Sequence, residues 1–282
     1  MEYRVPHPMQ AKEVLASLYP DSSRRTLKNW LASGRFLVNG RKLQREDEEL
    51  QEGALVTALE TFVPAHLPGV SILYQDRALI AIEKPSGLLS VPLDDEGPHR
   101  HALGLLRAWY KTDQIFPVHR IDREASGLLI FARGLESRER LKELFKEHAL
   151  HRQYFAVVEG RMSQDAGAWE NPLLELPSFD VIPSSEGKMA VTHFQVLHRS
   201  AKYSYLRLVL ETGKKHQIRV HCQQAGHPIL GDKRYGALEN SIRRLALHAE
   251  KLELIHPFTG KSLSLHSPLP PSFSSIVPLK IR

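Results

Sequence analysis

His119-Arg120-Ile121-Asp122-Arg123-Glu124-Ala125-Ser126-Gly127-Leu128-Leu129-Ile130-Phe131-Ala132-Arg133 is the most informative run in this chain of 282 residues. One carboxylate, Asp122, stands between Arg120 and Arg123 just before a Ser126-Gly127 turn and an apolar strand over 128–132. Two fixed cations beside an acid predict a lowered pKa and a group that stays ionised. A loop at the mouth of a strand is also where reactive groups tend to be presented. An ion-pair network of purely structural use fits the same residues. Glu124 is the candidate second acid, as in glycosidases: at i+2 in extended chain it falls on the side of Asp122 and would repel it, so a two-carboxylate mechanism is open but not required.

The surrounding chain alternates strands with a few helices. Strands are predicted over 71–74 and 78–82 around a Gln75-Asp76 turn, then over 154–158, 191–197 and 203–210. In the last of these Leu206, Leu208 and Leu210 alternate with Arg207 and Val209, the period of a strand with two unlike faces. An amphipathic helix over 137–149 carries Leu141, Leu144, Phe145 and His148 on one face. Many strands without a regular β-α-β beat predict an α+β fold. Nearer the N-terminus, Ser22 or Ser23 can cap a helix bearing Leu27, Trp30 and Leu31, which Gly34 would end. A strand over 36–38, the hairpin signal Asn39-Gly40, a return over 41–43 and a strand over 54–58 complete a small unit. Residues 61–70, with two prolines and a glycine, read as a linker. The expected organisation is therefore a small unit over 1–60, a linker over 61–70 and a large domain over 71–282.

Charge and composition narrow the function. Lys and Arg number 38 against 32 Asp and Glu, a net +6 that permits a nucleic-acid partner without requiring one. The excess is local. Arg24, Arg25, Lys28, Arg35, Arg41, Lys42 and Arg45 have no acid among them, and the acidic run 46–49 follows at once. Clustered cations of this kind release counterions from phosphate rows, although a solvated helix face balanced by the acidic run reads equally well on charge alone. A second basic stretch holds Lys202, Arg207, Lys214, Lys215, Arg219, Lys233 and Arg234. No apolar run nears the roughly 18 residues that would cross a bilayer, and the first ten lack a signal-peptide core; a cytoplasmic protein is expected. The lone Cys222 leaves no disulfide framework and no CxxC site. Gly260-Lys261-Ser262 lacks the upstream glycine of a phosphate loop, and Glu124 replaces the glycine that a serine hydrolase places before Ser126. His216, His221, Cys222 and His227 cluster, but the gap of four residues takes the first two off a common helical face, so structural or RNA-facing use is expected rather than zinc.

Residues 119–133 resemble the HRLDxxTSGLLLxAK motif of the RluA-type pseudouridine synthases, and other blocks agree with that family in order. IAIEKPSGLLSVP at 80–92 looks like its first block, and Arg152-Gln153-Tyr154 with Val158-Glu159-Gly160 like its K-x-Y…G segment. LETGKKHQIRVH at 210–221 is similar to the third block, GHPILGDKRYG at 226–236 to the segment after it, and Leu247-His248-Ala249 with His256-Pro257 to the close. Ser23-Arg24, Lys28, Trp30, Gly34 and Val38-Asn39-Gly40 resemble an S4 RNA-binding domain. Departures are Ile121 for Leu, Ala125 for Thr, and Lys214-Lys215 where Arg-Thr is common; the Lys pair keeps charge but loses a bidentate grip.

The resemblance implies a mixed, mainly antiparallel sheet with flanking helices, preceded by an S4-like α+β domain. It implies an RNA uridine isomerase with no metal and no cofactor. Asp122 would be the essential carboxylate, attacking the sugar carbon or removing a sugar proton. Arg219 would pair with it, Tyr154 would stack on the uracil, and Arg120 would grip the flipped nucleotide or fill its place. Arg24, Arg25, Lys28, Arg35, Arg41, Lys42, Lys214 and Lys215 would bind RNA, ribosomal RNA of the large subunit first, with transfer RNA left open and a monomer sufficient. Two alternatives stand beside it: a non-catalytic RNA-binding or ribosome-assembly factor on the same fold, and a glycosidase-like hydrolase using Asp122 and Glu124.

Overall fold

A computed structural model describes residues 2–20, 22, 24–32, 35–58, 69–93 and 100–277. Most of the stretch read as a linker, and Gly34 at the predicted helix end, lie outside the described residues. The first part holds β1 (Glu2–Arg4), β2 (Met9–Gln10), α1 (Ala11–Leu18), α2 (Arg24–Ala32), β3 (Phe36–Val38), β4 (Arg41–Lys42), β5 (Glu49–Leu50) and β6 (Leu55–Ala58). Its sheet runs β1-β6-β3-β4. The β3–β4 turn forms at Asn39-Gly40, with φ of 48° and 82°, the doubly left-handed turn that matches strand twist. The Asn39 side chain also accepts the Leu55 amide at 2.9 Å, tying the turn to β6. Val14, Leu15, Leu27, Leu31, Phe36, Val38 and Val56 close a core of their own.

The large part contains β7 (Ser71–Gln75), β8 (Leu79–Lys84), α3 (Ala102–Tyr110), β9 (Ile115–Pro117), β10 (Ser126–Arg133), α4 (Leu135–Lys146), β11 (Leu150–Glu159), β12 (Ala166–Glu175), β13 (Val181–Pro183), β14 (Lys188–Arg199), β15 (Tyr203–Leu210), α5 (Gln217–Gln224), β16 (Leu247–Ile255) and β17 (Ser262–His266). They form an 11-stranded sheet in the order β13-β12-β14-β15-β11-β16-β10-β8-β7, with β17 beside β16 and β9 beside β10. Its strand pairs are antiparallel except β10 with β16. The α+β expectation holds: few helices, one large mixed sheet, and a hydrophobic core along its centre.

Two local features set the site. Gly127 (φ 110°) pairs with Ala249, and a Cβ there would sit 2.2 Å from the Ala249 carbonyl oxygen, so only glycine lets β10 meet β16. Ala249 faces Tyr154 on its other side, and the β11–β16 register shifts between Gln153 and Tyr154, leaving Glu250 as an extra residue on β16. Bulges of this kind re-aim a side chain next to functional sites. The end of the 119–125 loop and Tyr154 thus stand at one level of the sheet, two strand spacings or about 10 Å apart.

Candidate active site

The loop before β10 is held by its carbonyls. Lys84, at the end of β8, is fully buried, and its ammonium donates to the carbonyls of Pro85, Leu88, Arg123 and Ala125 at 2.9, 2.7, 3.1 and 2.7 Å. Burial pushes its pKa down to about 7, against the pull of Asp122 and Glu124. The turn after Lys84 closes on the same loop. Ser86 donates to the Glu124 carbonyl at 2.6 Å, the Gly87 amide to Arg123 at 2.7 Å, and Ser90 to Ile121 at 2.8 Å. At its far end Ser126 is gripped by Arg244 at 2.6 Å and His248 at 2.8 Å. A loop tied at both ends and along its middle can present a side chain in one place.

Asp122 is that side chain, and it keeps 21% of its surface. Its ion partner comes from across the fold. Arg219, on α5 and with 4% of its side chain exposed, brings Nη1 to 3.4 Å from Asp122 and 3.6 Å from Glu124. Its other two nitrogens donate to both oxygens of Asp232 at 2.7 Å each, a bidentate fork with a carboxylate that has no exposed surface. Burial by itself would lower the Arg219 pKa, but Asp232, Asp122 and Glu124 carry it above its ordinary value. The Tyr235 ring covers the guanidinium at 5.0 Å, and the Tyr235 hydroxyl meets His216 Nδ1 at 2.7 Å. His216 Nε2 then lies 4.0 Å from Asp122; burial and the neighbouring cations lower its pKa to about 4, so it meets the carboxylate as a neutral ring near pH 7.

One expectation is corrected. The arginines flanking Asp122 in sequence do not outweigh its burial: both are exposed, Arg120 pulls the pKa down only weakly, and Arg123 Nε donates to the Gly87 carbonyl at 3.3 Å. Burial dominates and pushes the Asp122 carboxyl above the usual carboxylate range; Arg219 works against the shift and Glu124 adds to it. Tyr154 is 8% exposed, its phenol raised by burial and sensing both Arg152 and the charge on Asp122. Asp122 and Arg219 therefore meet, Tyr154 lies within electrostatic reach of Asp122, and Glu124 falls on the side of Asp122 as its spacing suggests. Sequence reasoning gave no part to Asp232, Tyr235 or Lys84, and His216 entered it only within a histidine cluster of structural or RNA-facing use. A signal for Asp232 was available, because a buried arginine demands a counter-charge and GDKRYG supplies one.

The other candidate residues are dispersed. Lys214 is exposed, while Lys215 pairs with Glu175 and covers the Phe179 ring at 4.8 Å. Arg24 and Lys28 are exposed and each stands 3.6 Å from Glu46; Arg41 bonds Glu48, and Lys42 is exposed. Arg35 is packed on Trp30 and Tyr19, 3.9 and 5.0 Å from their ring centroids. The Arg25 side chain lies outside the described residues. Of the histidine–cysteine cluster, Cys222 is core, His221 bonds Thr192 at 2.9 Å and His227 bonds the Glu159 carbonyl at 2.8 Å. Among the described residues no three His, Cys, Asp or Glu side chains gather as a metal site. No described helix is long and apolar enough to cross a membrane.

The solved structure of human RNA pseudouridylate synthase domain containing 4 superposes with a TM-score of 0.60 at 25% identity, over 72% of this chain and 90% of that one. Residues 78–224 match the family model described as RNA pseudouridylate synthase. Proteins named ribosomal large subunit pseudouridine synthase D from Yersinia pestis and Escherichia coli (strain K12) are each 32% identical to it, over 94% of this chain and 89% and 88% of theirs. The chain belongs to the RNA pseudouridylate synthase family; it is an isomerase that makes pseudouridine.

Proposed function

We propose that this enzyme isomerises one or more uridines of large-subunit ribosomal RNA, with Asp122 as its essential carboxylate. The carrying observation is the Asp122–Arg219–Asp232 arrangement: a partly exposed carboxylate reached by a buried guanidinium whose other nitrogens are already fixed. The relatives' names speak for the ribosomal substrate.

The reaction breaks the N1–C1′ bond of uridine and joins C1′ to C5; the C5 proton leaves and N1 takes one up. Nothing is oxidised, so the groups needed are those that stabilise charge and move protons. Asp122 either adds to C1′ or removes a sugar proton, and in both cases it must be ionised, which Arg219 favours against the cost of burial. Tyr154 offers an aromatic face to the uracil and a hydroxyl near C5. A uridine within folded RNA must leave its stack to reach Asp122, which Arg120, exposed at the rim, would assist. Residues 1–60 serve as an S4-like RNA-binding domain, joined through 61–70 to a catalytic domain over 71–282. Their separate core supports that division.

Mapping pseudouridines in ribosomal and transfer RNA from cells with and without this chain tests the substrate. Loss at uridines of the large-subunit RNA is the expected result. Loss confined to transfer RNA would move the substrate, and identical maps would end the reading.

A further inference from the structure

Arg152 is the cation that the reaction leaves without a task. It stands on β11 two residues before Tyr154, so the strand's pleat puts both side chains on one face, about 7 Å apart along the backbone. Its guanidinium lies 5.9 Å from the Phe145 ring centroid and against Gly213, where a Cβ would come within 2.6 Å of Nη1. Gly213 belongs to the segment that leads into α5, and Lys214 beside it is exposed. Nε of Arg152 is closed to solvent and has no hydrogen-bond partner. Among the described residues no carboxylate lies within 4.0 Å of this guanidinium. Burial lowers its pKa, and the Tyr154 phenol is the neighbour that opposes the shift.

Buried polar groups in proteins are so seldom unpartnered that each exception asks for a reason. Lys84 has four carbonyls, Arg219 has three carboxylates and Arg244 has Ser126. Arg152 has a fork of donors, a notch made by a missing side chain, and a position one pleat outward from the ring that marks the pocket. A planar fork suits a phosphate better than any other common RNA group.

We propose that Arg152, in the notch left by Gly213, receives a backbone phosphodiester of the bound RNA just outside the Tyr154–Asp122 pocket, and so fixes the strand from which the target uridine is drawn. The inference rests on the RNA-modifying reading of that pocket. It assigns a binding role and leaves the bond-making to Asp122.

Steady-state kinetics and filter binding on an unmodified large-subunit ribosomal RNA transcript test it. Arg152→Gln should raise KM roughly tenfold, as loss of a charge-assisted bond does, with kcat within about threefold. The slope of log affinity against log salt should fall by about one phosphate. Arg152→Lys should recover the slope but only part of the KM, since it keeps charge and loses the fork. Gly213→Ala displaces the guanidinium with its charge intact and should raise KM as well. Methylphosphonates placed singly around the mapped uridine should weaken wild-type binding at one position, and that penalty should vanish in Arg152→Gln. This last arm works on the wild-type protein even if a variant folds poorly. An unchanged slope and KM in Arg152→Gln, with wild-type turnover normal, would overturn the phosphate site alone. Absence of pseudouridine from the wild-type enzyme would overturn the reading of the pocket, and the phosphate site with it.

Discussion

Arg219 keeps 4% of its side-chain surface and Arg24 keeps 76%, yet each stands about as close to a carboxylate, 3.4 Å from Asp122 and 3.6 Å from Glu46. Beside the large sheet the cation is enclosed: two of its nitrogens fork onto Asp232, which is itself sealed, and the third reaches Asp122 and Glu124. In the N-terminal unit the acidic run 46–49 folds back on the basic helix, so Arg24, Lys28 and Arg41 meet their partners in water. Exposed pairs of that sort contribute at most about 1 kcal/mol and yield readily to another anion. Breaking an enclosed pair leaves a charge with nowhere to go. One region is built to hold a geometry, and the other to exchange partners.

The sharpest break is at Asp122. Asp122→Asn keeps the shape and removes the charge; turnover should fall by at least about 10³-fold while RNA affinity stays within about threefold. Full turnover in a single-turnover assay would remove Asp122 from the chemistry. Next comes Asp232→Asn, which strips a sealed carboxylate from Arg219 and should cost roughly 3–5 kcal/mol in urea unfolding. A loss below about 1 kcal/mol would put that pair in the class of the surface ones. On the N-terminal side, replacing Arg24 and Lys28 by Gln should lower the salt slope of RNA binding by about two and leave stability almost unmoved. An unaltered slope would mean that Glu46 is their only partner.

The smallest effect concerns pH. Asp122 titrates above the ordinary carboxylate range, so activity should fall as pH drops through that raised value, earlier than for an exposed aspartate. Glu124 contributes to the rise; Glu124→Gln should move the acid limb of kcat to lower pH, and a move upward would contradict the assigned sign. The stability sign runs the other way. A carboxyl raised by folding is favoured as the neutral acid, its contribution is complete below its unfolded value and is lost as pH rises through the folded one. Asp122→Asn should therefore be no less stable than wild type near pH 7.

Where side chains alternate cleanly the structure was legible: the strand read over 203–210 is β15 to the residue, and Asn39-Gly40 makes the turn its chemistry requires. Helix α5 was not foreseen because Gln217, Ile218, Arg219, Val220, His221 and Cys222 are all buried, which leaves no polar face to give a period. Strand β12 was missed for the opposite reason: half of its residues are exposed, and Gly167, Glu170, Asn171 and Pro172 interrupt any alternation. Asp122, Tyr154 and Arg219 were singled out because the family resemblance carries them. Asp232 and Lys84 act through partners 13 and 41 residues away, contacts that no local pattern encodes. The Asp122 pKa was misjudged because charge is visible in a sequence and burial is not.

The placement of β16 has a consequence for the enzyme as it is being made. Its residues Leu247–Ile255 are the wedge between β10, which ends the Asp122 loop, and β11, which bears Tyr154. A ribosome that has extruded only the first 240 residues has released both groups without the strand that sets their separation. Pairings so distant in sequence form late and slowly. Competence therefore waits until residues 247–255 have been made, and a chain cut short before this wedge would be expected to bind without isomerising.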